Sequence, residues 1–176
     1  MRLRTLRLIL RPLSMGDAGR IAMLAGDRDI ARMTASIPHP YSEWQAAEWL
    51  KSVAAGEEGT VFAIDSEDKL IGCTGYRSDD DGETAEIGYW IGKPFWGQGY
   101  ATEAVAAVIA HAFEVDRIGM LVGGHFEDNP ASARVLTKLG FARCGEELRE
   151  SESREGKTRC VLYRLSRAEM SREAAR

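Results

Sequence analysis

The residues that most directly suggest chemistry are Gly97 and Gly99, in the run Lys93-Pro94-Phe95-Trp96-Gly97-Gln98-Gly99-Tyr100-Ala101-Thr102. A strand-like segment, Glu86-Ile87-Gly88-Tyr89-Trp90-Ile91, leads into them, and an amphipathic segment from Ala101 to Glu114 leads out. The glycines therefore join the end of a strand to the start of a helix. The first N–H groups of a helix have no intrahelical partner, and with the helix dipole they attract an anion, most often a phosphate. Glycine lets the backbone approach that anion with no Cβ in the way. The pattern predicts a site for a phosphorylated ligand. A dinucleotide site fits poorly, because it needs G-x-G-x-x-G and then an acidic residue about 20 positions on. Thr102 fills the third glycine slot, and Gly119 stands where the acid belongs.

The elements that must position this turn are legible from periodicity. Leu6 to Arg11 alternates as a strand does. Asp17 to Ala25 has helical spacing, and Asp29 to Ala35 reads as a short second helix. Ser42 followed by Gln45 is a capping-box pattern that opens a helix running to about Ala55, with Trp44, Ala47 and Leu50 facing inward. Thr60 to Asp65 and Leu70 to Tyr76 read as strands joined by a turn at Ser66-Glu67-Asp68-Lys69. Asp79-Asp80-Asp81-Gly82 turns the chain into a strand from Glu83 to Ile91. Ala101, Ala104, Val105, Val108, Ile109 and Ala112 form one buried helix face. After a strand from Gly119 to Gly124, Asn129 caps a helix that starts with Pro130 and stops before Gly140. Phe141 to Arg149 and Thr158 to Leu165 close as a hairpin, and Arg167 to Arg176 is a charged, weakly helical tail. This order predicts an α/β (α+β) fold in one domain over residues 1–176, with its core over 6–165.

Composition narrows the class. A chain of 176 residues with 44% hydrophobic content suits one domain with a substantial core. The net charge of −4, with no run of five basic residues, argues against non-specific nucleic-acid binding. No apolar run approaches the ~18 residues that a membrane span needs. The arginines scattered through the first seven residues do not suit a signal peptide. Cys73, Cys144 and Cys160 are odd in number and form no C-x-x-C pair. They predict small buried hydrophobes in a reducing cytoplasm, with neither a disulfide framework nor a metal site.

The glycine turn resembles the acetyl-coenzyme A loop of the GNAT N-acetyltransferases, [QR]-x-x-G-x-[GA]. Gly99 and Ala101 match its last two positions, and Trp96 stands where Gln or Arg is usual. That departure is seen in the branch that acts on ribosomal protein N-termini. Asp128-Asn129-Pro130-Ala131-Ser132, continuing to Lys138-Leu139-Gly140-Phe141, is similar to that branch's N-P-x-S…K-x-G-F signature. Arg7 to Leu13 resembles its opening strand, and Ile37-Pro38-His39-Pro40-Tyr41 its early substrate-side loop. The resemblance implies a mixed, mostly antiparallel sheet of about seven strands, with helices on both faces. It also implies a splay between the fourth and fifth strands, where acetyl-CoA lies and from which coenzyme A leaves. It implies acetyl transfer to a primary amine by direct attack, the amine being a protein N-terminus or a small molecule. The expected assembly is a monomer or homodimer with no nucleic-acid or membrane partner. The rival reading is a non-catalytic acyl-CoA-binding module of the same fold.

Such chemistry needs a base, because an ammonium cannot attack, and a donor for the departing sulfur. Glu86 is the first candidate base: it begins the strand that ends at the glycine turn and shares a face with Gly88 and Trp90. His125 is the second, placed just past a strand on the way to Asn129. Many GNAT enzymes carry a tyrosine donor where this chain has Leu136, so the resemblance shifts that role to Ser132, four residues earlier. It further implies that Trp90, Ile91 and Asn129 meet the peptide-like arm of the cofactor, and that Trp96 to Thr102 surround its pyrophosphate. Arg134 and Lys138 would reach its 3′-phosphate, and His39 and Tyr41 would border the acceptor. Glu146, Glu147, Glu150, Glu152 and Glu155 predict an acidic rim that draws in a cationic amine.

Overall fold

Alternation along the strand before the glycine turn sets the layering. In β5 (Thr84–Ile91) the side chains of Ala85, Ile87 and Ile91 are buried, whereas Glu86 and Gly88 are exposed. Side chains of one parity join a core shared with the helix that follows the turn, and those of the other parity face the N-terminal helices. The computed structural model describes residues 1–79 and 82–174. Asp80 and Asp81 of the expected turn, and Ala175 and Arg176 of the tail, lie outside the described residues.

The strands preceding β5 are β1 (Leu3–Arg4), β2 (Ile9–Arg11), β3 (Thr60–Ser66) and β4 (Lys69–Ser78). Those following it are β6 (Met120–Phe126), β7 (Ala142–Arg149) and β8 (Thr158–Ser166). They form an eight-stranded sheet in the order β1-β2-β3-β4-β5-β6-β8-β7. The short β1, paired with β2, accounts for the strand beyond the seven expected. Every neighbouring pair is antiparallel except β5 and β6.

Helices α1 (Ala18–Ala25), α2 (Arg28–Ala31) and α3 (Glu43–Ala55) lie between β2 and β3. α1 and α3 cover one face of the sheet, packing Ile21, Leu24, Ala46 and Leu50 on Ala63, Leu70 and Cys73. α4 (Tyr100–Glu114) covers the other, burying Ala104, Val105, Val108, Ile109 and Ala112 as the periodicity requires. α5 (Pro130–Lys138) sits beside it, and α6 (Arg167–Ala174) follows β8. α3 begins as the capping box demands: Gln45 N donates to Ser42 Oγ, and Ser42 N to Gln45 Oε1 at 2.9 Å. Trp44 is 71% exposed, contrary to the inward position expected. The buried stripe runs through Ala46 and Leu50, and two residues back from Ala46 is ~200° around a helix. Cys73 and Cys160 are buried as expected, but Cys144 on β7 is exposed.

β5 and β6 pair over only Thr84–Met120, Ala85–Leu121 and Glu86–Val122, and then separate. This is the splay that the resemblance implies. Over the parting, Ile87 and Leu136 close in on Gly123, where an added Cβ would sit 3.1 and 3.2 Å from their methyl groups. Glycine is thus favoured at this point by close approach. Gly123→Val should overpack the root of the splay and lower stability by about 1–3 kcal/mol. A urea titration that leaves the midpoint unchanged would show the contact to be slack.

Candidate functional site

The glycine turn and the helix behind it form one rim of the site. Gly97 and Gly99 adopt φ of 75° and 80°, a region that side-chain-bearing residues rarely enter. A Cβ at Gly97 would meet nothing within 4 Å, so the space beside it is open. Gly99 is the N-cap of α4, and no side chain caps that end. The first N–H groups of α4, at Tyr100, Ala101 and Thr102, are therefore available to an anion.

A side chain from the start of the protein holds the turn in place. Arg7 Nη1 donates to the Gln98 carbonyl at 2.9 Å, and its guanidinium lies 4.5 Å from the Tyr100 ring centre. It also pairs with Glu103 in the first turn of α4 at 2.7 Å. Thr5 Oγ1 and Arg7 N donate to the other oxygen of Glu103 at 2.6 and 2.8 Å. Burial pushes the Glu103 carboxyl up, but these bonds outweigh it and hold the group below its ordinary range. On the other side of the turn, Trp96 Nε1 donates to the Ile91 carbonyl at 2.6 Å. The indole that replaces the usual Gln or Arg thus ties the turn to β5.

Gly92 N donates to Ile71 O on β4, so by alternation the main-chain groups of Trp90 and Gly88 also turn to β4. Those of Ile87, Tyr89 and Ile91 turn toward β6, which has already diverged. Among these, Tyr89 with both its main-chain groups and Ile91 with its N–H, rather than Trp90, form the edge nearest the turn; the Ile91 carbonyl is taken by Trp96. Across the splay, Asn129 Oδ1 accepts from Ser132 N at 3.2 Å and caps α5. Ser132 Oγ lies 2.6 Å from Tyr89 Oη, a hydroxyl pair that joins α5 to β5. Burial, only partly offset by this bond, pushes the Tyr89 phenol up to about 12. Tyr89 is not singled out by the sequence, because its place in an alternating strand by itself reads as core. Leu136 is 1% exposed and packs at Gly123, so it belongs to the core. Arg134 and Lys138 are exposed on α5, one turn apart.

The two base candidates do not meet. Residues opposite each other across a ladder point to the same side, so Glu86 shares a face with Val122, Gly124 and Phe126. His125 lies on the other face with Leu121 and Gly123. It falls within β6 rather than beyond it, because the strand runs two residues past Gly124. Its Nδ1–H donates to the Phe126 carbonyl at 2.8 Å, its ring lies 5.6 Å from that of Tyr163, and Nε2 is buried with no hydrogen-bond partner among the described residues. Glu86 is exposed and held by Arg149 at 2.5 Å. Arg149 also pairs with Glu147 at 2.7 Å, and the two carboxylates raise its guanidinium pKa against the opposing effect of burial. A Cβ at Gly88, next on this face, would meet nothing within 4 Å, which leaves room beside Glu86.

On the Glu86 face an open depression of about 540 Å³ lies between α2 and the 150–157 loop, lined by Arg28, Asp29, Arg32, Arg154, Glu155 and Thr158. Ion pairs anchor it to both lips of the splay. Asp29 binds Lys93, just after β5, at 2.6 Å, and Arg32 and Arg154 bind Asp128, just after β6, at 2.7 and 2.8 Å. Thr158 stands opposite Arg149, which ties the depression to Glu86. Of the expected acidic rim, Glu146 is paired with Arg143 and Arg159, and Glu147 with Arg149, while Glu155 lines the depression itself. His39 is exposed, with Nδ1–H donating to the Gly26 carbonyl at 2.9 Å, just before α2. Tyr41 is half-buried against the α1–α3 layer, and burial pushes its phenol up to about 12. His111 packs on Phe62 and Tyr76 in the core.

Comparison with known proteins agrees with this geometry. The family model described as acetyltransferase (GNAT) domain matches residues 7–142. The uncharacterized N-acetyltransferase YoaA of Bacillus subtilis (strain 168) is 33% identical over 152 residues, covering 81% of this chain and 84% of YoaA. The ribosomal-protein-serine acetyltransferase of Escherichia coli (strain K12) is 37% identical over 82 residues, 46% of each chain. Among solved structures, the ribosomal L7/L12 alpha-N-protein acetyltransferase RimL in complex with coenzyme A superposes with a TM-score of 0.82. It is 17% identical and covers 94% of this chain and 98% of its own.

The Arg7 clasp makes its own prediction. A carboxyl held below its ordinary range stabilises the fold above the unfolded-state value of ~4.3, and that contribution is lost as pH falls through the lower folded-state value. Amide-exchange protection over residues 103–107, where the hydrogen bonds of α4 begin, should therefore hold from pH 5 to 7, fall below ~pH 4, and be lower at all pH values in Arg7→Met. Equal protection in wild type and variant would dismiss the clasp.

Proposed function

The chain belongs to the GNAT acetyltransferase family, and on that premise we propose that it transfers acetyl from acetyl-CoA to a primary amine by direct attack. No covalent enzyme intermediate is involved. One observation carries the reading: the splay of β5 from β6 opens beside a glycine turn at the uncapped N-terminus of α4. The open space at Gly97 and the N–H groups of Tyr100, Ala101 and Thr102 suit a pyrophosphate. The free edge of β5 at Tyr89 and Ile91, with Asn129 opposite, suits a peptide-like arm. Arg134 and Lys138 suit a terminal phosphate. Trp96 and Gln98 act through the shape of the loop, one bonding Ile91 and the other Arg7. When bound, acetyl-CoA supplies the thioester carbon that the amine attacks.

Glu86 takes the proton of the incoming ammonium, directly or through a water, in the space beside Gly88. Arg149 fixes the direction of its carboxylate. A main-chain N–H on the free edge of β5 serves the oxyanion. Ser132 gives a hydrogen bond to the sulfur as it departs. The amine approaches from the depression between α2 and the 150–157 loop, near His39 and Tyr41. His125, bonded to the Phe126 carbonyl and packed against Tyr163, is given no part in this step. The rival reading, a non-catalytic module, rested on Leu136; the hydroxyls of Ser132 and Tyr89 support the catalytic one.

An α-amine is the favoured acceptor. At pH 7 about one in ten α-amines is neutral, against roughly one in 2,500 lysines, so an exposed carboxylate suffices for the first. Relatives named for ribosomal-protein acetylation support the same choice. The three unpaired cysteines support a reducing compartment.

Thiol release from acetyl-CoA with peptides bearing free N-termini, lysine and spermidine, followed by mass spectrometry of the products, tests the proposal. Acetylation of a peptide α-amine is the expected result, and no turnover with any amine would sink it. By calorimetry, Gly99→Val should bind coenzyme A at least ~10-fold more weakly with the fold intact, because strain and the added methyls spoil the anion site. Glu86→Gln should lose ~100-fold or more in kcat/KM at pH 7. A loss of only a few-fold would remove Glu86 as the base.

A further inference from the structure

Ser132 is placed in an unusual setting for a helix serine. In the first turn of a helix, a serine hydroxyl readily donates back to a carbonyl three or four residues earlier. No such bond is formed here. The bonding partner of Oγ is Tyr89 Oη at 2.6 Å, and the same phenol lies 3.4 Å from the Ser132 carbonyl. The phenol arrives from β5 where that strand has lost its β6 neighbour, so the bond spans the splay. Tyr89 is packed against the α4 core, and its ring has little freedom to turn away.

We propose that Tyr89 is a positioning residue for Ser132: its O–H donates to Ser132 Oγ, so that the serine's own hydrogen is left to meet the departing sulfur. This rests on the role given to Ser132 above. In the step, the amine nitrogen bonds to the thioester carbon and the C–S bond breaks. The electron pair stays on sulfur, and the nitrogen proton passes through Glu86 to solvent. The sulfur then leaves as a thiolate held by the Ser132 hydrogen, and solvent protonates it afterwards. Tyr89 neither gains nor loses a proton. A phenol pushed up to about 12 fits this, because it stays a donor throughout the working pH range.

The test combines binding with turnover in Tyr89→Phe, Ser132→Ala and the double variant. Calorimetry with coenzyme A and with desulfo-coenzyme A reads the sulfur contact directly. Wild type should prefer coenzyme A several-fold at pH 9, where most thiols of reference pKa ~8.5 are ionised. Each single variant should erase that preference while leaving desulfo-coenzyme A affinity unchanged, a ratio that lost packing alone would not alter. In turnover with acetyl-CoA and an N-terminal alanine peptide, each single variant should lower kcat about tenfold, with KM for acetyl-CoA held. The double variant should then be no slower than Ser132→Ala. If Ser132→Ala leaves kcat and the preference intact, the role of Ser132 fails, and that of Tyr89 with it. If Ser132→Ala costs activity but Tyr89→Phe costs none, or the two losses multiply, Ser132 stands and the positioning role of Tyr89 is overturned.

Discussion

Three residue pairs of parallel ladder, from Thr84–Met120 to Glu86–Val122, hold β5 to β6. Past them the strands part, and their facing main-chain groups lose the partners that a continuous sheet would provide. Buried peptide groups without partners cost free energy, so such a gap persists only where something else supports its walls. Ile87 and Leu136 close over Gly123 at the root, and the Tyr89–Ser132 bond spans the opening above. On the reading proposed above, the remaining free edge suits a ligand that carries peptide groups of its own. Both the anion rim at Gly97 and Gly99 and the carboxylate of Glu86 are placed by where this parting occurs.

Charge is arranged around the gap so that it is used locally. Arg7 is engaged by Glu103, Gln98 and Tyr100, and thereby stiffens the turn. Asp29 with Lys93, and Asp128 with Arg32 and Arg154, tie the depression to both lips of the gap. These pairs are partly exposed, and each contributes little to stability by itself. Their effect is geometric: they fix α2 and the 150–157 loop relative to β5 and β6. Glu86 shares Arg149 with Glu147 of β7, and has open space beside it at Gly88.

Local signals in the sequence determined the helices, the capping box at Ser42, the cap at Asn129, the buried stripe of α4 and the position of the glycine turn. These depend on neighbours within four residues, or on strict periodicity, so the order of residues alone carries them. The fold family was equally legible, because its turn and its N-P-x-S segment are contiguous. What the sequence could not decide was which residues face each other across the gap. Glu86 and His125 both read as bases near one cleft, and only the register of β5 on β6 puts them on opposite faces. Trp44 read as core until the phase of α3 was set by its packing on α1. Glu146 and Glu147 read as a free acidic rim until pairing of β7 with β8, and the reach of Arg149 to both Glu147 and Glu86, supplied their partners. Tyr89 and Ser132 are 43 residues apart, and no local pattern joins them. Contacts of that separation arise only when the sheet assembles, since strand register and helix placement are set by long-range packing rather than by neighbours in the chain.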